Sequence, residues 1–411
     1  MKDFFKVTPL EDVYKYIPNF IQTDSENIPL TEAEGRIIAG DIHADVDLPD
    51  FARSIVDGYA VKAATTFGAS EGNPGYLTLN GVVEMGILPD FTIDRGEAAH
   101  MPTGGMLPQG ADGVVMIEHT EALDDTTIEI YKSVAPGQNV IEKGEDFKNG
   151  ELILRHGQRI RPQETGLLAA FGHKTITVYK KPLVGIISTG DEIVSLDQIP
   201  EPGQIRDINT YTLSSLVQEA GGIPLAFGTV KDDYDALFEV CTQAFDQTDM
   251  VFLSGGSSVG TRDFTIEVFS ALPDAKVLVH GIPISPGKPT ILASIQQKPF
   301  WGLPGHVVSA MVVFSAVVKP FLDHLAGLSP QTPNNNSFRI PARLTRNLSS
   351  AQGRIDFIRV RLRREKEELW ADPVLGKSGL INTMVKADGL IEVGMNTEGL
   401  DKGSEVSVIL F

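Results

Sequence analysis

Between residues 182 and 327 the chain alternates unbroken apolar runs with amphipathic helical segments, and no other feature limits its fold as strongly. PLVGIISTG reads as a strand apolar on both faces, INTYTLSSLVQEAGG as a helix ended by Gly, PLAFGTV as a strand, YDALFEVCTQAF as a helix and DMVFLSGG as a further strand. A strand apolar at consecutive positions must be covered on both sides, and the interleaved helices supply the cover. The segment therefore predicts a doubly wound, mostly parallel α/β sheet. Its ligands should sit beyond the carboxyl ends of the strands.

The flanking sequence has a different texture. From 47 to 147 short β runs (YLTLNGVVEM, EAAHMPT, GVVMIEH, TTIEIYKSV) are separated by Gly, Pro and Asp, which predicts a small β domain. Residues 1–46 and 148–180 share helical texture, in EDVYKYIPNF, in TEAEGRIIAGDIHA with capping-box spacing between Thr31 and Glu34, and in RPQETGLLAAFG. They read as two halves of one linear domain into which the β domain is inserted. LSPQTPNNNSF has the composition of a linker, and the period-two runs FRIPARL, DFIRVRLRRE, ELWADPV and SEVSVILF make 335–411 a second small β domain. The expected architecture is thus multidomain α/β plus β, with the α/β domain at 181–327. The length of 411 residues accommodates two to four domains, and 42% hydrophobic against 22% charged residues lets each bury a core.

Charge and cysteine content exclude several function classes. A formal net charge of −19 opposes binding to duplex nucleic acid or an anionic membrane surface. MKDFFKVTPLEDV lacks the basic start and apolar run of a signal peptide, and no apolar stretch reaches about 18 residues, so a cytoplasmic protein that does not span a membrane is expected. The single cysteine, Cys241, rules out an internal disulfide framework and reads as a buried core thiol.

Three constellations carry chemistry. Ser254-Gly255-Gly256-Ser257-Ser258-Val259-Gly260 follows a strand and precedes the helical TIEVFSAL, where glycines admit a ligand close to the backbone and free amides cradle an anion; the plain alternative is an ordinary βα turn. Ser188-Thr189-Gly190-Asp191-Glu192 ends another strand, Asp232 and Asp233 follow a third, and Asp263 comes three residues after the glycine loop. These acids could be separate helix caps, but their convergence on one sheet edge suits a shared Mg²⁺ at Glu192, Asp232 and Asp263, since magnesium takes one or two carboxylates plus phosphate and water. Finally, Lys288 stands between prolines in Ser285-Pro286-Gly287-Lys288-Pro289, and Pro304-Gly305-His306 leads into an apolar helix, where His306 reads equally as a cap or a ligand contact. No Ser-His-Asp or Cys-His nucleophile spacing is evident.

PDFARSIVDGYAV, MPTGGMLPQGADGVVMIE, NVIEKGEDFKNGELIL, STGDEI, GQIRDIN, LSGGSSVGTRDF, PGKPT and WGLPGH, in this order along nearly the whole chain, resemble the MoeA/gephyrin family of molybdopterin molybdenumtransferases. The resemblance implies a linear domain, an inserted β domain, a central MoaB/Mog-like α/β domain and a C-terminal β-barrel-like domain. It also implies a homodimer, with transient contact to a Mog-like adenylyltransferase and to acceptor molybdoenzymes. The implied reaction is Mg²⁺-dependent insertion of molybdate into adenylylated molybdopterin with release of AMP. Matching positions one at a time, it assigns reaction roles to Asp57, Thr103, Asp146, Glu192, Asp232, Asp263 and Arg354. Substrate contacts fall to Thr189, Gly190, Ser254, Gly255, Gly256, Ser257, Gly260, Gly287, Lys288, Pro304, His306 and Ser378.

The chain departs from the family pattern at the anion site. Two lysines commonly stand just before PGKP, and here those places hold Gly281 and Ser285; the usual Asn-Pro after GLPG is His306-Val307. Molybdate is a dianion, so His280, Lys288 or Arg354 would have to compensate. Alternative readings are a divergent paralogue that inserts tungsten or only carries pterin, a pterin adenylyltransferase or nucleotide-type phosphoanhydride hydrolase, and a gephyrin-like scaffold.

Overall fold

The computed structural model describes residues 7–255, 264–329 and 339–411. The chain divides into two compact units, one of Met1–Ala39, Gly157–Ile160 and Ile176–Phe411, the other of Gly40–His156 and Arg161–Thr175.

The first unit contains the expected α/β sheet. Strands Ile223–Val230, Leu183–Thr189, Met250–Ser254 and Lys298–Leu303 lie side by side and parallel, and Ile291–Ile295 and Lys276–His280 extend the sheet through antiparallel pairings. The period of two along each strand divides its side chains between two cores. Val184, Ile186, Met250, Phe252, Trp301 and Leu303 meet Leu213 and Val217 of helix Asn209–Glu219 and the apolar run that starts at Val307. Ile187, Val251, Leu253 and Phe300 meet Leu237, Cys241 and Ala244 of helix Tyr234–Gln247 and Val268 and Phe269 of helix Phe264–Ala271. Both faces of the inner strands are covered, which is why they read as unbroken apolar runs, whereas the edge strand Ile223–Val230 leaves Ile223 and Leu225 exposed.

The helical run Val307–Leu325 packs against the first of these cores. It has 19 residues and a mean hydropathy of 1.5, long and apolar enough to cross a membrane by composition, yet 61% of its most apolar stretch is buried inside the protein, as a core helix is. Its middle, Phe314–Val318, is a π-helical turn before Pro320. A proline inside a helix cannot donate to the carbonyl four residues earlier, which here is Ala316. That carbonyl accepts instead from the Tyr14 hydroxyl at 2.5 Å.

In the C-terminal part, Ile355–Glu365, Glu368–Pro373, Arg339–Leu344, Glu405–Leu410 and Gly389–Val393 pair in that order, and pairing of the first with the last closes a five-stranded barrel around Leu344, Val360, Ala371, Ile391 and Val408. Ile284–Ser285 pairs in parallel with Ile355–Asp356, linking the proline-rich loop of the α/β part to the barrel.

The expected helix over TEAEGRIIAGDIHA does not form. Only Leu30–Glu32 makes a 3₁₀ turn; Gly35 then takes φ +75°, and Ile37 and Ile38 bridge to Arg159 and Val178 as extended chain. Gly35 and the β-branched pair after it outweigh the capping-box spacing.

The second unit is built on a six-stranded sheet in the order Gly113–Met116, Gly58–Val61, Glu97–Met101, Gly75–Val82, Thr127–Ile130, Thr120–Ala122. Tyr59, Val61, Leu77, Ala98, Val115, Ile128 and Ile130 fill one face, and Ala60, Val83, Met101 and Val114 the other. Helix Pro162–Ala170 starts where the sequence predicts, with Pro at its first position and Glu164 accepting from the Arg161 amide at 2.8 Å.

Candidate functional site

The carboxyl ends of the four parallel strands open onto one cavity of about 1020 Å³ in the first unit. Each strand ends in a turn that its sequence equips for the purpose. After Leu183–Thr189 come Gly190 and Glu192; after Ile223–Val230 comes Asp232; after Met250–Ser254 comes Gly255; after Lys298–Leu303 come Pro304, Gly305 and His306; all of these line the cavity except the strands' own apolar residues. Ser285, Gly287 and Lys288 from the proline-rich loop and Gln352, Arg354 and Ser378 from the barrel complete the wall.

Hydrogen bonds lace the turns together. The Gly190 amide donates to Val230 O at 3.3 Å, the Gly255 amide to Leu303 O at 3.3 Å, and the Thr189 hydroxyl to Asp232 Oδ1 at 2.6 Å. Asn209, buried at the start of its helix, donates to Ser254 Oγ at 2.7 Å and to Gly305 O at 2.8 Å, tying the glycine turn to the Pro304 loop. Beneath it Asp207 accepts from the Ser188 hydroxyl and the Thr210 amide. Glycine is required at the turn itself: Gly255 has φ +115°, and a Cβ there would lie 2.1 Å from Thr189 O.

The charged wall is balanced. Lys288 and Arg354 face the cavity together with Glu192 and Asp232, and Lys288, Glu192 and Asp232 are exposed. Arg354 Nε contacts Asp356 Oδ1 at 3.0 Å. Burial works against the charged form of Asp356, but bonds from Ser350 and Ser285 and the Arg354 charge hold its carboxyl below the usual carboxylate range. His306 occupies the N-cap position of Val307–Val313 without capping it; its Nδ1 lies 2.8 Å from Ser378 Oγ. Arg359, buried and with its pKa pushed down by that burial, donates to Gly376 O at 2.8 Å and to Val374 O at 3.4 Å, fixing the loop that carries Ser378.

The sequence-predicted residues are thus distributed unevenly. Thr189, Gly190, Glu192, Asp232, Gly255, Gly287, Lys288, Pro304, His306, Arg354 and Ser378 line one cavity. Ser254 is fully buried, and its hydroxyl accepts from Asn209, so its side chain supports the turn. Asp233 is the helix cap of Tyr234–Gln247, accepting from the Ala236 amide at 3.0 Å. Gly256, Ser257, Gly260 and Asp263 lie outside the described residues. Asp57, Thr103 and Asp146 belong to the second unit, where the Thr103 amide donates to Asp57 Oδ1 at 2.8 Å and holds that carboxyl below its ordinary range. Sequence reasoning missed Thr265, Ser309 and Gln352 on the wall and the supports Asn209, Asp356 and Arg359. Asn209 and Asp356 sit inside the strings GQIRDIN and GRIDF, but nothing in their spacing marks them as buried.

Gly281 and Ser285, the two positions at which the resemblance implies lysine, differ structurally. Ser285 is half-buried on the cavity wall and bonds Asp356. Gly281 has φ +97°, a conformation that lysine adopts only with strain. His280 ends the edge strand Lys276–His280 and is not among the described residues that line the cavity.

Oxygen donors dominate beside the strand ends: the carboxylates of Glu192 and Asp232 and the hydroxyl of Thr189. Among the described residues no group of three or more His, Cys, Asp or Glu comes together as a metal site. One or two carboxylates completed by ligand phosphate and water fit a hard divalent cation such as magnesium better than a metal that prefers thiolate or imidazole.

Three family models match most of the chain: the MoeA N-terminal region (domain I and II) over residues 8–172, the "Probable molybdopterin binding domain" over 185–324, and the MoeA C-terminal region (domain IV) over 341–411. The molybdopterin molybdenumtransferase of Bacillus subtilis is 32% identical over 407 residues, 98% of this chain and 94% of that protein. That of a Nostoc species is 35% identical over 321 residues, 77% of this chain and 73% of that protein. A solved molybdopterin biosynthesis MoeA protein from Pyrococcus horikoshii superposes with a TM-score of 0.80 at 39% identity, covering 98% of this chain and 99% of its own.

Proposed function

The chain belongs to the MoeA family, and from that premise we propose that it is a cytoplasmic molybdopterin molybdenumtransferase, exchanging the adenylyl group of adenylylated molybdopterin for molybdenum. The observation that carries this reading is the convergence of Glu192, Asp232, Lys288, Arg354 and the Gly255 turn on one cavity beyond the strand ends. The phosphoanhydride lies along the glycine turn, where the backbone can approach it closely. Lys288 and Arg354 offset its negative charge, and the cavity's size admits both the nucleotide and the pterin.

Glu192 and Asp232 would hold Mg²⁺, which polarises the phosphoanhydride when bound. Thr189 orients the Asp232 carboxylate through its hydroxyl bond, and Asp191 accepts from the Asp232 amide at 3.4 Å, so the acidic turn is preset. Molybdate exchanges two oxygen ligands, which leave as water with the two thiol protons and two protons from solvent, for the two dithiolene sulfurs; a water molecule adds to the phosphoanhydride phosphorus as the P–O–P bond breaks, and AMP and the phosphate of the pterin part. The carboxylates bind and orient; neither attacks. The same reading makes the chain a homodimer in which Asp57, Thr103 and Asp146 of a second copy contact substrate; light scattering near twice 44.5 kDa tests the dimer.

The deciding experiment measures AMP release from adenylylated molybdopterin with Mg²⁺, adding molybdate, tungstate or neither. Oxyanion-stimulated release that is lost in Asp232→Asn and Glu192→Gln supports the transferase and identifies the metal. The placement of Gly281 and Ser285 favours a second reading, a pterin carrier, for which tight binding without oxyanion-stimulated release is the expected result.

A further inference from the structure

Among the described residues, five buried side-chain polar atoms lack a hydrogen-bond partner: His173 Nε2, Asn209 Oδ1, Thr265 Oγ1, Trp301 Nε1 and Arg339 Nε. Thr265 alone of these five residues lines the strand-end cavity, and it is only 1% exposed. It stands second in helix Phe264–Ala271, which follows the glycine turn, so its hydroxyl lies in the first turn, where backbone amides have no helical partners. Its methyl is accounted for. A Cβ added at Gly302 would come within 2.9 Å of Thr265 Cγ2, so glycine on the neighbouring strand makes the room that the methyl occupies. The hydroxyl, on the same residue of the cavity wall, is buried without such a neighbour.

A hydroxyl removed from water and left unpaired costs free energy, and native proteins carry few such groups. The same cavity holds Lys288, Arg354 and the Gly255 turn, which together suit an anion. We propose that Thr265 is a binding residue whose Oγ1 donates a hydrogen bond to a phosphate oxygen of the bound diphosphate. This assignment deepens the function proposed above and rests on it, because it takes the cavity's ligand to be a diphosphate ester. Gly302 acts with it as a positioning residue by seating the methyl.

ADP, which carries a diphosphate on the same nucleoside, is the probe. Thr265→Val keeps the shape and the methyl contact and deletes only the hydroxyl; Thr265→Ser keeps the hydroxyl. Calorimetric titration with ADP and Mg²⁺ should show about tenfold or greater weakening in Thr265→Val, the usual scale for a hydrogen bond to a charged group, and near-normal binding in Thr265→Ser. The ligand-free Thr265→Val protein should melt no lower than the parent, because the side chain it lacks was unpaired. Parent-like ADP binding by Thr265→Val overturns the assignment and leaves the transferase reading standing. A lowered melting temperature for Thr265→Val shows the hydroxyl to be partnered already and overturns it equally. Failure of the parent protein to bind ADP overturns the diphosphate reading of the cavity and this assignment with it.

Discussion

Replacing Gly255 by alanine tests whether the strand-end turn is held as tightly as the site requires. The residue has φ +115°, and the added Cβ would sit 2.1 Å from Thr189 O and 3.1 Å from Thr189 C, both backbone atoms of the adjacent strand end. Torsional strain at such an angle costs about 1–3 kcal/mol. The contact can be relieved only by parting the two strand ends, which weakens the last pairing of Leu183–Thr189 with Met250–Ser254, at Ser188 and Ser254, and adds about 1 kcal/mol. The sum is about 3 kcal/mol, or roughly a hundredfold in the folded-to-unfolded ratio. Gly203→Ala is the control: φ there is +94°, but nothing lies within 4 Å of the added Cβ, so torsion alone acts and the loss should be about 1 kcal/mol. Urea unfolding followed by tryptophan fluorescence reads the difference through Trp301, which is buried one strand away. Folded Gly255→Ala protein should also release AMP poorly, and Gly203→Ala normally. Equal midpoint shifts for the two variants would refute the steric argument.

Three further predictions concern the same region and the core. Ser285→Lys should lower the molybdate concentration needed for half-maximal AMP release by placing a cation beside Asp356, whereas Gly281→Lys should lower the melting temperature by the strain of φ +97° without that gain; an oxyanion titration and a melt of each variant decide this. The depressed carboxyl of Asp356 binds fewer protons folded than unfolded, so its contribution to stability is complete above the ordinary carboxylate pKa and is lost as pH falls through its own lower value. Asp356→Asn should accordingly be less stable than the parent near neutrality, with the gap closing on acidification below about pH 4 in pH-resolved melts. Burial pushes the Cys241 thiol up to about 12, so a disulfide reagent at pH 8 should label the native protein far more slowly than the urea-unfolded chain; equal rates would show that the helix Tyr234–Gln247 is not packed as described.

How much of this was legible depends on the range over which each feature is encoded. The α/β strands and helices came directly from the pattern because their two-sided burial is written in consecutive residues: Leu183–Thr189, Asn209–Glu219, Tyr234–Gln247 and Met250–Ser254 fall where the apolar runs and helical periods place them. The capping-box spacing at Thr31 and Glu34 misled, because the chain around Ile37 and Ile38 is claimed by bridges to residues more than a hundred positions away. Strand Gly389–Val393 was not read at all, although it closes the barrel by pairing with Ile355–Glu365. In the site, Glu192, Lys288 and Arg354 could be named from motifs, whereas Ser254 was assigned to the ligand and is turned inward onto Asn209.

The sequence by itself determined which residue types stand at the strand ends, that glycine recurs in the turns that follow them, and that one segment is a doubly wound sheet, because these are local periodicities and local conformational permissions. Only the tertiary structure decided that Arg354 and Ser378 of the barrel share a cavity with Glu192 and Asp232 of the sheet, that Asn209 and Arg359 hold its loops, and that Thr265 has a buried hydroxyl without a partner among the described residues. Proximity, burial and hydrogen-bond satisfaction are relations between groups far apart in the chain, and packing alone brings those groups together.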